Sequence, residues 1–305
     1  MRRLDPTGLA PLPGVPASLL GESPVWHPDE GALWWCDIPG RRLNRWHAAS
    51  GAHRHWDLPT EPGCIAPLAG GDWLIAMRDG LWRFDPANGE RTRIAKPPYD
   101  PALERFNDGR ADALGRLWVG TIYEPRDRAA AALYRLDSGT LTRVAGDITV
   151  SNGLAFGPDG HTMSWADTKA HRLMAFDLDL AEGSLARRRD LQQFAPRGEG
   201  QPLTSYGGRP DGAAFDAEGC LWVAMFEGRR LVRLAGDGTL LAELPLPVRC
   251  PTMPCFGGPD LRSLFITTSR EKRPAEELAA EPWAGSVLQL RVDVPGLPVN
   301  FARLP

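Results

Sequence analysis

One sequence pattern recurs six times along this chain of 305 residues. Each copy reads as a short strand, a turn rich in Gly, Asp or Pro, and a second, more apolar strand, which is the pattern of a β-hairpin. The copies are ESPVWHPDEGALWWCD, CIAPLAGGDWLIAMRD, NDGRADALGRLWVGTI, NGLAFGPDGHTMSWAD, DGAAFDAEGCLWVAMF and MPCFGGPDLRSLFITT. Their starting points are 42, 43, 45, 59 and 42 positions apart. Repeats of this length, built from strands and turns, are typical of propeller blades. The sequence therefore predicts an all-β, six-bladed β-propeller.

The segments between the hairpins fit the same architecture. Runs such as GLWRFDPANGE and RRLVRLAGDG alternate apolar and polar residues and predict the outer strands of each blade. A closed ring of repeats accounts for residues 1–305 as a single domain. The longest interruption, QQFAPRGEGQPLTSYGGRP, predicts a loop over the channel mouth, and EKRPAEELAAEPW predicts one short helical turn. Six tryptophans on the hairpin strands are expected to pack between blades: Trp26, Trp34, Trp35, Trp118, Trp165 and Trp222.

The first residue of every copy is expected to face the central channel, because the innermost strands of a propeller run along it. These residues, called the channel column below, are Glu22, Cys64, Asn107, Asn152, Asp211 and Met253. Four of the six carry oxygen donors, and two of those are carboxylates, which suits a hard or borderline divalent cation. The column predicts a metal site in the central channel, with Cys64 and Met253 on the side of the cavity that faces away from the ion. Alternatively, the polar residues cap turns or bind channel water.

Composition and charge narrow the choice of partners and compartment. The net charge is −3 and the basic residues are scattered, which argues against nucleic acid or an anionic membrane as partner. Five cysteines without a CxxC pair argue against a disulfide framework or structural zinc. Prolines interrupt the first twenty residues, as is unusual for a signal peptide. We expect a cytoplasmic protein whose oligomeric state is open. No GxSxG motif suggests a serine nucleophile, and no histidine occupies the channel column.

Five segments together resemble the regucalcin/gluconolactonase family of six-bladed propellers. In chain order they are LLGESPVWHPDEGALWWCDIPGRRLNRW, RFNDGRADALGRLWVGT, SNGLAFGPDG, PDGAAFDAEGCLWVA and CFGGPDLRSLFITTSR, and they extend over essentially the whole chain. The resemblance implies one divalent ion held by the Glu of GESP, the Asn of SNG and the Asp of PDG, here Glu22, Asn152 and Asp211. Calcium, zinc, manganese and iron(II) are all compatible with such an oxygen set.

The same resemblance implies where a substrate binds. The family's RxND segment, here Arg105, Asn107 and Asp108, is similar to the part that holds the hydroxyls and ring oxygen of a sugar. Relatives of the regucalcin type carry two acidic residues after the GT of this blade, whereas here Glu124 is followed by Pro125. A substrate contact from Glu124 is therefore left open.

An aromatic residue at the channel mouth could also stack against a sugar ring. Tyr123 and Tyr206 are the candidates, since Tyr123 follows the third hairpin and Tyr206 lies in the longest interruption.

The function that these residues favour is metal-dependent hydrolysis of a sugar lactone, such as a glucono-, xylono-, arabinono- or galactonolactone, to the aldonic acid. The cation would act as a Lewis acid on the lactone carbonyl. Asp211 is the first candidate for the base, because a carboxylate can bind the metal through one oxygen and accept a proton at the other. Glu22 has the same chemistry, and a water activated by the metal is a third choice. Two alternatives are a metal-dependent hydrolase of phosphotriesters or aryl esters, and a non-catalytic metal- or ligand-binding propeller.

Overall fold

The computed structural model describes residues 1–304. Six sheets make up the structure, five of them with four strands and one with five. The innermost strand of each sheet contacts the innermost strand of the next, and the last contacts the first, so the sheets close into a ring. This arrangement confirms the predicted all-β, six-bladed β-propeller.

Two short strands, β1 (Arg2–Arg3) and β2 (Ala10–Pro11), precede the first blade. Blade 1 comprises β3 (Gly21–His27), β4 (Ala32–Asp37), β5 (Arg42–His47) and β6 (His53–Asp57). Blade 2 comprises β7 (Pro62–Pro67), β8 (Trp73–Met77), β9 (Gly80–Phe84) and β10 (Arg91–Ala95). Blade 3 comprises β11 (Glu104–Ala111), β12 (Leu117–Tyr123), β13 (Ala131–Asp137) and β14 (Thr140–Ile148).

Blade 4 comprises β15 (Ser151–Phe156), β16 (Thr162–Asp167), β17 (Arg172–Asp179) and β18 (Ser184–Gln193). A 3₁₀ turn (Leu203–Ser205) precedes blade 5, which comprises β19 (Arg209–Phe215), β20 (Leu221–Phe226), β21 (Arg230–Leu234) and β22 (Leu240–Pro245). Blade 6 comprises β23 (Pro251–Gly257), β24 (Ser263–Thr268) and β25 (Leu288–Arg291), with helix α1 (Ala275–Ala280) before β25. The short helical turn predicted for this region is thereby confirmed.

Both ends of the chain fasten the ring. β2 is the outer strand of blade 6, antiparallel to β25, and β1 pairs in parallel with β22 of blade 5. The C-terminal segment then crosses one end of the channel, which is called the lower end here. Its Gly296 pairs with Asp216 of blade 5 and its Ala302 with Leu68 of blade 2. The segment therefore covers part of the lower end of the channel, and the opposite end forms the mouth.

A β-bulge occurs beside the channel column in every blade. In each, the pairing between the innermost and second strands shifts register there, for example between Glu22 and Val25 or between Asn152 and Ala155. A bulge takes residues out of the ladder and turns a side chain to a new direction. The residue after Asn152 is Gly153, with a φ of 61°, a left-handed conformation that glycine adopts at little cost.

Large aromatic side chains fill the wedges between blades. The six predicted tryptophans are all buried. Trp34 of blade 1 lies 4.7 Å from Trp73 of blade 2 between ring centroids, and Trp26 stacks on Phe265 of blade 6 at 5.7 Å. The expected packing role of these tryptophans is confirmed.

The longest predicted interruption is shorter in the structure. Gln192 and Gln193 still belong to β18, because they pair with β17 at the edge of blade 4. Residues 194–208 do not line the cavity at the channel mouth, so the predicted loop over the mouth is not confirmed. Arg209, the first residue of β19, lines that cavity, while Tyr206 lines a separate small pocket. Among the described residues, no helix has the length and apolar character that crossing a membrane requires.

A buried aspartate braces blades 3 and 5 in the same way. Asp112 accepts hydrogen bonds from the indole Nε1 of Trp118 at 2.8 Å and from Nε of Arg116 at 2.7 Å. In blade 5, Asp216 accepts from Trp222 at 2.8 Å and from Arg233 at 2.7 Å. Each carboxylate also accepts backbone N–H groups of its own hairpin turn. One carboxylate thus joins the turn, the inter-blade tryptophan and an arginine.

Asp112→Ala should lower the free energy of unfolding by about 3–5 kcal/mol, because the Arg116 guanidinium then stays buried without its carboxylate. The control is Asp57→Ala, which removes the exposed pair with Arg42 at 3.2 Å and should cost less than about 1 kcal/mol. Urea denaturation followed by tryptophan fluorescence measures both. Equal losses in the two variants would contradict the bracing role of Asp112.

Candidate active site and metal centre

The open end of the channel leads into a polar cavity of about 440 Å³. Its floor includes the four polar members of the channel column: Glu22, Asn107, Asn152 and Asp211. Each of the four is at most 7% exposed. The predicted convergence of these residues from four different blades is therefore what the fold produces.

Two aspartates fix the strands that carry Glu22 and Asn152. Asp37, at the end of β4, accepts the backbone N–H groups of Leu19 and Leu20 at 3.0 and 3.1 Å, directly before β3. Asp167, at the end of β16, accepts those of Thr149 and Val150 at 3.1 Å each, directly before β15. In both blades the clamp lies two or three residues ahead of the channel-column residue. The hairpins ending in WCD and WAD therefore set the entry of the innermost strand into the channel.

A chain of hydrogen bonds holds the two asparagine side chains across blades 3 to 5. Arg105 Nη1 donates to Asn107 Oδ1 at 2.7 Å, and Asn107 Nδ2 donates to Asn152 Oδ1 at 2.8 Å. Asn152 Nδ2 donates to Thr168 Oγ1 at 2.8 Å, and Thr168 donates to the Pro210 carbonyl at 2.7 Å. Arginine can only donate and a carbonyl can only accept, so both ends of this chain fix the orientation of each amide. Asn152 Oδ1 consequently keeps a second lone pair for another ligand.

The two carboxylates of the channel column lie in an unfavourable environment without a cation. Burial, together with Asp211 and Asp108, raises the pKa of Glu22 well above its usual value. Burial, together with Asp108, raises the pKa of Asp211 to about 8. Glu22 accepts one hydrogen bond, from the backbone N–H of Ser23 at 3.2 Å. No side-chain or backbone donor of residues 1–304 bonds the Asp211 carboxylate.

These residues fit a divalent cation. Within residues 1–304, no group of three or more His, Cys, Asp or Glu side chains is arranged to hold a metal ion. The set here differs, because two carboxylates, Glu22 and Asp211, are joined by the amide oxygen of Asn152. Two buried carboxylates repel each other when both are ionised. A doubly charged ion that prefers oxygen ligands would bind their free lone pairs and compensate the two negative charges. The donor set is thus chemically suited to calcium, manganese, zinc or iron(II).

Comparison with known proteins identifies the family of this chain. The family model described as SMP-30/Gluconolactonase/LRE-like region matches residues 20–270. The chain belongs to this family. It is 46% identical over 280 residues to the 6-deoxy-6-sulfogluconolactonase of Pseudomonas putida, covering 92% of this chain and 93% of the relative. It is 36% identical to a pentonolactonase of Haloferax volcanii, over 82% of this chain and 81% of the relative.

Among solved structures, the chain is similar to a calcium-binding protein, regucalcin, from Agrobacterium tumefaciens. The TM-score is 0.88 at 33% sequence identity, and the match covers 95% of each chain. The resemblance to the regucalcin/gluconolactonase family inferred from five sequence segments is confirmed.

The structure of this family member places the predicted substrate-binding residues in two groups. Arg105, Asn107 and Glu124 line the cavity. Asp108 lies outside the cavity lining, where one carboxylate oxygen accepts the N–H of Leu154 at 2.8 Å and the other, Oδ1, is buried without a hydrogen-bond partner among residues 1–304. Tyr123 is also outside the cavity lining, since it is buried in the core between blades 3 and 4.

Glu124 contacts two arginines at the cavity mouth. Its carboxylate accepts two hydrogen bonds from Arg78 of blade 2 at 2.9 and 3.0 Å, and it lies 3.7 Å from Nε of Arg105. Glu124 thereby bridges blades 2 and 3 while one face of it still lines the cavity.

The two apolar members of the channel column lie away from the polar cavity. Met253 lines a second cavity of about 290 Å³ at the lower end of the channel, where the C-terminal segment crosses. Cys64 is fully buried, and a Cβ placed on Gly109 of the next blade would be 2.6 Å from its Sγ. Neither residue lines the polar cavity that contains the two carboxylates.

Sequence reasoning missed several residues of the site. Thr168 positions Asn152, and its only signal was a hydroxyl residue directly after WAD. Arg78 and Arg209 line the cavity. Arg78 directly follows the apolar strand β8, and a charged residue at the end of an apolar run is the kind of polar exception that marks a functional position.

Without metal, this member of the family should become less stable as pH rises from about 5 to 8. An aspartate whose native pKa is raised keeps its proton where the unfolded chain, with a pKa of about 4, has lost it. The folded state then binds more protons, so the free energy of unfolding falls as pH rises through this range. Asp211→Asn should flatten the decline.

Thermal denaturation in chelator at several pH values tests this expectation. The control is Asp260→Asn, because the exposed Asp260 has its pKa lowered by its hydrogen bond to Arg291 and titrates below this range. An equal pH slope for wild type and Asp211→Asn would contradict the raised pKa of Asp211.

Proposed function

We propose that the protein hydrolyses the ester bond of an aldonolactone to the aldonic acid with one divalent cation, held by Glu22, Asn152 and Asp211. The class of reaction, sugar lactone hydrolysis, follows from the family and from its lactonase relatives. A glucono-, xylono-, arabinono- or galactonolactone fits the proposal. The relative named as a calcium-binding protein supports a divalent ion without identifying the metal here.

One observation carries the proposal. Glu22 and Asp211, both nearly fully buried, face one cavity together with an amide oxygen whose orientation is fixed from both sides. A scaffold or binding propeller does not need two such carboxylates, whose ionisation opposes folding. An enzyme that adds water to a carbonyl does need oxygen ligands, a base and a cavity open to substrate.

The residues around the cavity can position a lactone. Arg105 is held by its Nη1, which donates to the carbonyl of Phe106 at 2.9 Å and to Asn107. Its Nη2 bonds to no residue among 1–304 and can donate to hydroxyls or to the ring oxygen of a sugar. Glu124 can accept from a hydroxyl beside it. Substrate would therefore lie between blade 3 and the carboxylates on the channel floor.

The carboxylates of Asp211 and Glu22 are the groups that would transfer protons. When bound, a divalent ion would polarise the lactone carbonyl and stabilise the negative charge that develops as water adds. Asp211 has free lone pairs to take the proton of that water. Burial and Asp108 raise its pKa to about 8, and the positive charge of a bound ion would favour its ionised form. As the new carbon–oxygen bond forms, the carbonyl electrons move to oxygen. Their return breaks the bond to the ring oxygen, which receives the proton from Asp211 or Glu22.

The direct test is a pH-indicator assay on a panel of five- and six-membered aldonolactones, corrected for spontaneous hydrolysis. We expect turnover that chelator abolishes and added metal restores. The panel includes an aryl ester and a phosphotriester, because a preference for either would favour the alternative hydrolase. Turnover that survives complete removal of metal would contradict the proposed mechanism.

Purified protein should contain close to one divalent ion per chain by elemental analysis. Asp211→Ala should lose both the ion and the activity, because Glu22 alone would face a doubly charged ion. Met253→Leu is the matched control, since it changes a column residue without an oxygen donor and conserves its volume. Full metal occupancy with wild-type turnover in Asp211→Ala would exclude the proposed ligand set.

Arg105→Ala should separate substrate binding from metal binding. Loss of a charged hydrogen bond to substrate costs about 2 kcal/mol or more, which corresponds to a decrease in kcat/KM of about 30-fold. The ion should stay bound, because Arg105 is not a ligand. Arg105→Lys retains the charge, and its kcat/KM should lie between those of the wild type and Arg105→Ala. If Arg105→Ala lost its metal, Arg105 would belong to the support of the ion instead of the substrate site.

A further inference from the structure

The mouth of the polar cavity carries more basic than acidic groups once the carboxylate pair on its floor is set aside. Seven basic residues line the cavity: Arg78, Arg105, Arg126, Lys169, Arg209, Lys272 and Arg273. Four carboxylates lie at the rim with them: Glu61, Glu124, Glu227 and Glu271. An ion bound by Glu22 and Asp211 would add further positive charge. The cavity of the loaded enzyme is therefore cationic.

Every rim carboxylate is already paired with a basic residue. Arg78 binds Glu61 and Glu124, each at 2.9 Å. Glu227 binds Arg209 at 3.2 Å and Arg273 at 2.9 Å.

The fourth rim carboxylate, Glu271, lies 3.2 Å from Lys272. Once these pairs are formed, Arg126 and Lys169 remain as cavity cations with no ion pair to any carboxylate of residues 1–304.

The backbone at both of these positions is fixed, although the side chains are exposed. Arg126 has a φ of 57°, and its N–H donates to the Tyr123 carbonyl at 3.1 Å. A left-handed conformation is uncommon for arginine, and here it occurs in the turn that leads from β12 toward β13. The N–H of Lys169 donates to Asp167 at 3.1 Å, on the same carboxylate that clamps the entry to β15.

These two cations share one side of the mouth with Arg209. They come from blades 3, 4 and 5, which are consecutive in the ring. Arg126 and Arg209 both oppose the rise in the pKa of Asp211 that burial and Asp108 cause, and Lys169 and Arg209 both add to the lowering of the pKa of His171 that burial causes. Arg209 thus lies within electrostatic reach of the same groups as each of the other two.

We propose that Arg126 and Lys169, together with Arg209, bind an anionic group carried by the lactone on the carbon outside its ring. This inference rests on the lactonase function proposed above and names its substrate class: an aldonolactone with a terminal sulfonate or phosphate. Both groups offer three oxygens, which can accept from a guanidinium and an ammonium at once.

A neutral lactone gives these cations little to bind. Its one developing charge is on the carbonyl oxygen, which must lie close to Glu22 and Asp211 on the channel floor. Arg126 and Lys169 are exposed at the rim, where an exocyclic substituent would point if the carbonyl is at the floor. Unpaired cations at the entrance would also raise the rate of capture of an anionic substrate at low ionic strength.

The first test measures kcat/KM for glucono-1,5-lactone, its 6-phosphate and its 6-deoxy-6-sulfonate with metal-loaded enzyme. We expect wild type to prefer an anionic lactone, with the better of the two identifying the natural group. In Arg126→Gln and Lys169→Gln, the ratio of anionic to neutral kcat/KM should fall about 10- to 100-fold. Lys96→Gln, an exposed cation outside the cavity, should retain the wild-type ratio. High salt should lower the preference of wild type.

An unchanged ratio in both variants, or equal losses on neutral and anionic lactones, would overturn the proposal. Equal losses would mean that the cations stabilise charge on the carbonyl oxygen common to all lactones.

A binding experiment separates this inference from the proposed function. Glucose 6-phosphate and 6-deoxy-6-sulfoglucose have no lactone bond, so their binding does not depend on hydrolysis. We expect them to raise the thermal midpoint of wild type more than glucose does, and expect that difference to disappear in the Arg126→Gln/Lys169→Gln double variant. If no lactone were hydrolysed but this difference held, the anion site would stand and the lactonase function would fall. A difference that persists in the double variant would overturn the anion site.

Discussion

In every blade, the pairing between the innermost strand and the second strand shifts register next to the channel-column residue. In a regular strand, successive side chains point alternately to the two faces of the sheet, which here are the wedges between blades. Only the twist of the strand would then decide which side chains point into the channel. The bulge instead occurs next to the channel-column residue in each of the six blades. Four of these six residues carry oxygen donors, and the whole site depends on this one repeated irregularity.

The site destabilises the folded state, and the packing of the surrounding ring offsets this loss of stability. Burying Glu22 and Asp211 together raises the pKa of each, so their ionisation opposes folding in the absence of a cation. Elsewhere the ring is strongly braced by tryptophans between blades, by buried aspartates in blades 3 and 5, and by strands from both chain ends. A rigid frame of this kind can hold two carboxylates close together although their ionisation lowers the free energy of unfolding. A bound divalent ion would offset part of this loss of stability.

The two ends of the channel serve different purposes. The lower end is mostly apolar and is crossed by the C-terminal segment, and Met253 lies there. The open end is lined by charged side chains from several blades, and most of them form ion pairs. Two of these pairs, Arg78–Glu124 and Arg273–Glu227, join neighbouring blades. Selectivity for substrate therefore belongs to the turns, where residues such as Arg126 and Lys169 can vary without disturbing the ladder that positions the carboxylates.

The sequence by itself determined the number of blades, the residues that face the channel and the tryptophans between blades, because each repeats with the period of the hairpin. Helix α1 was also visible from its local composition. Tertiary structure alone decided the rest. Tyr123 sits in the core between blades, and Thr168 became the link between Asn152 and blade 5. The closure by the chain ends and the pairing of rim charges join residues far apart in sequence. Such contacts follow from how the blades are arranged in space, and no period or local pattern along the chain records them.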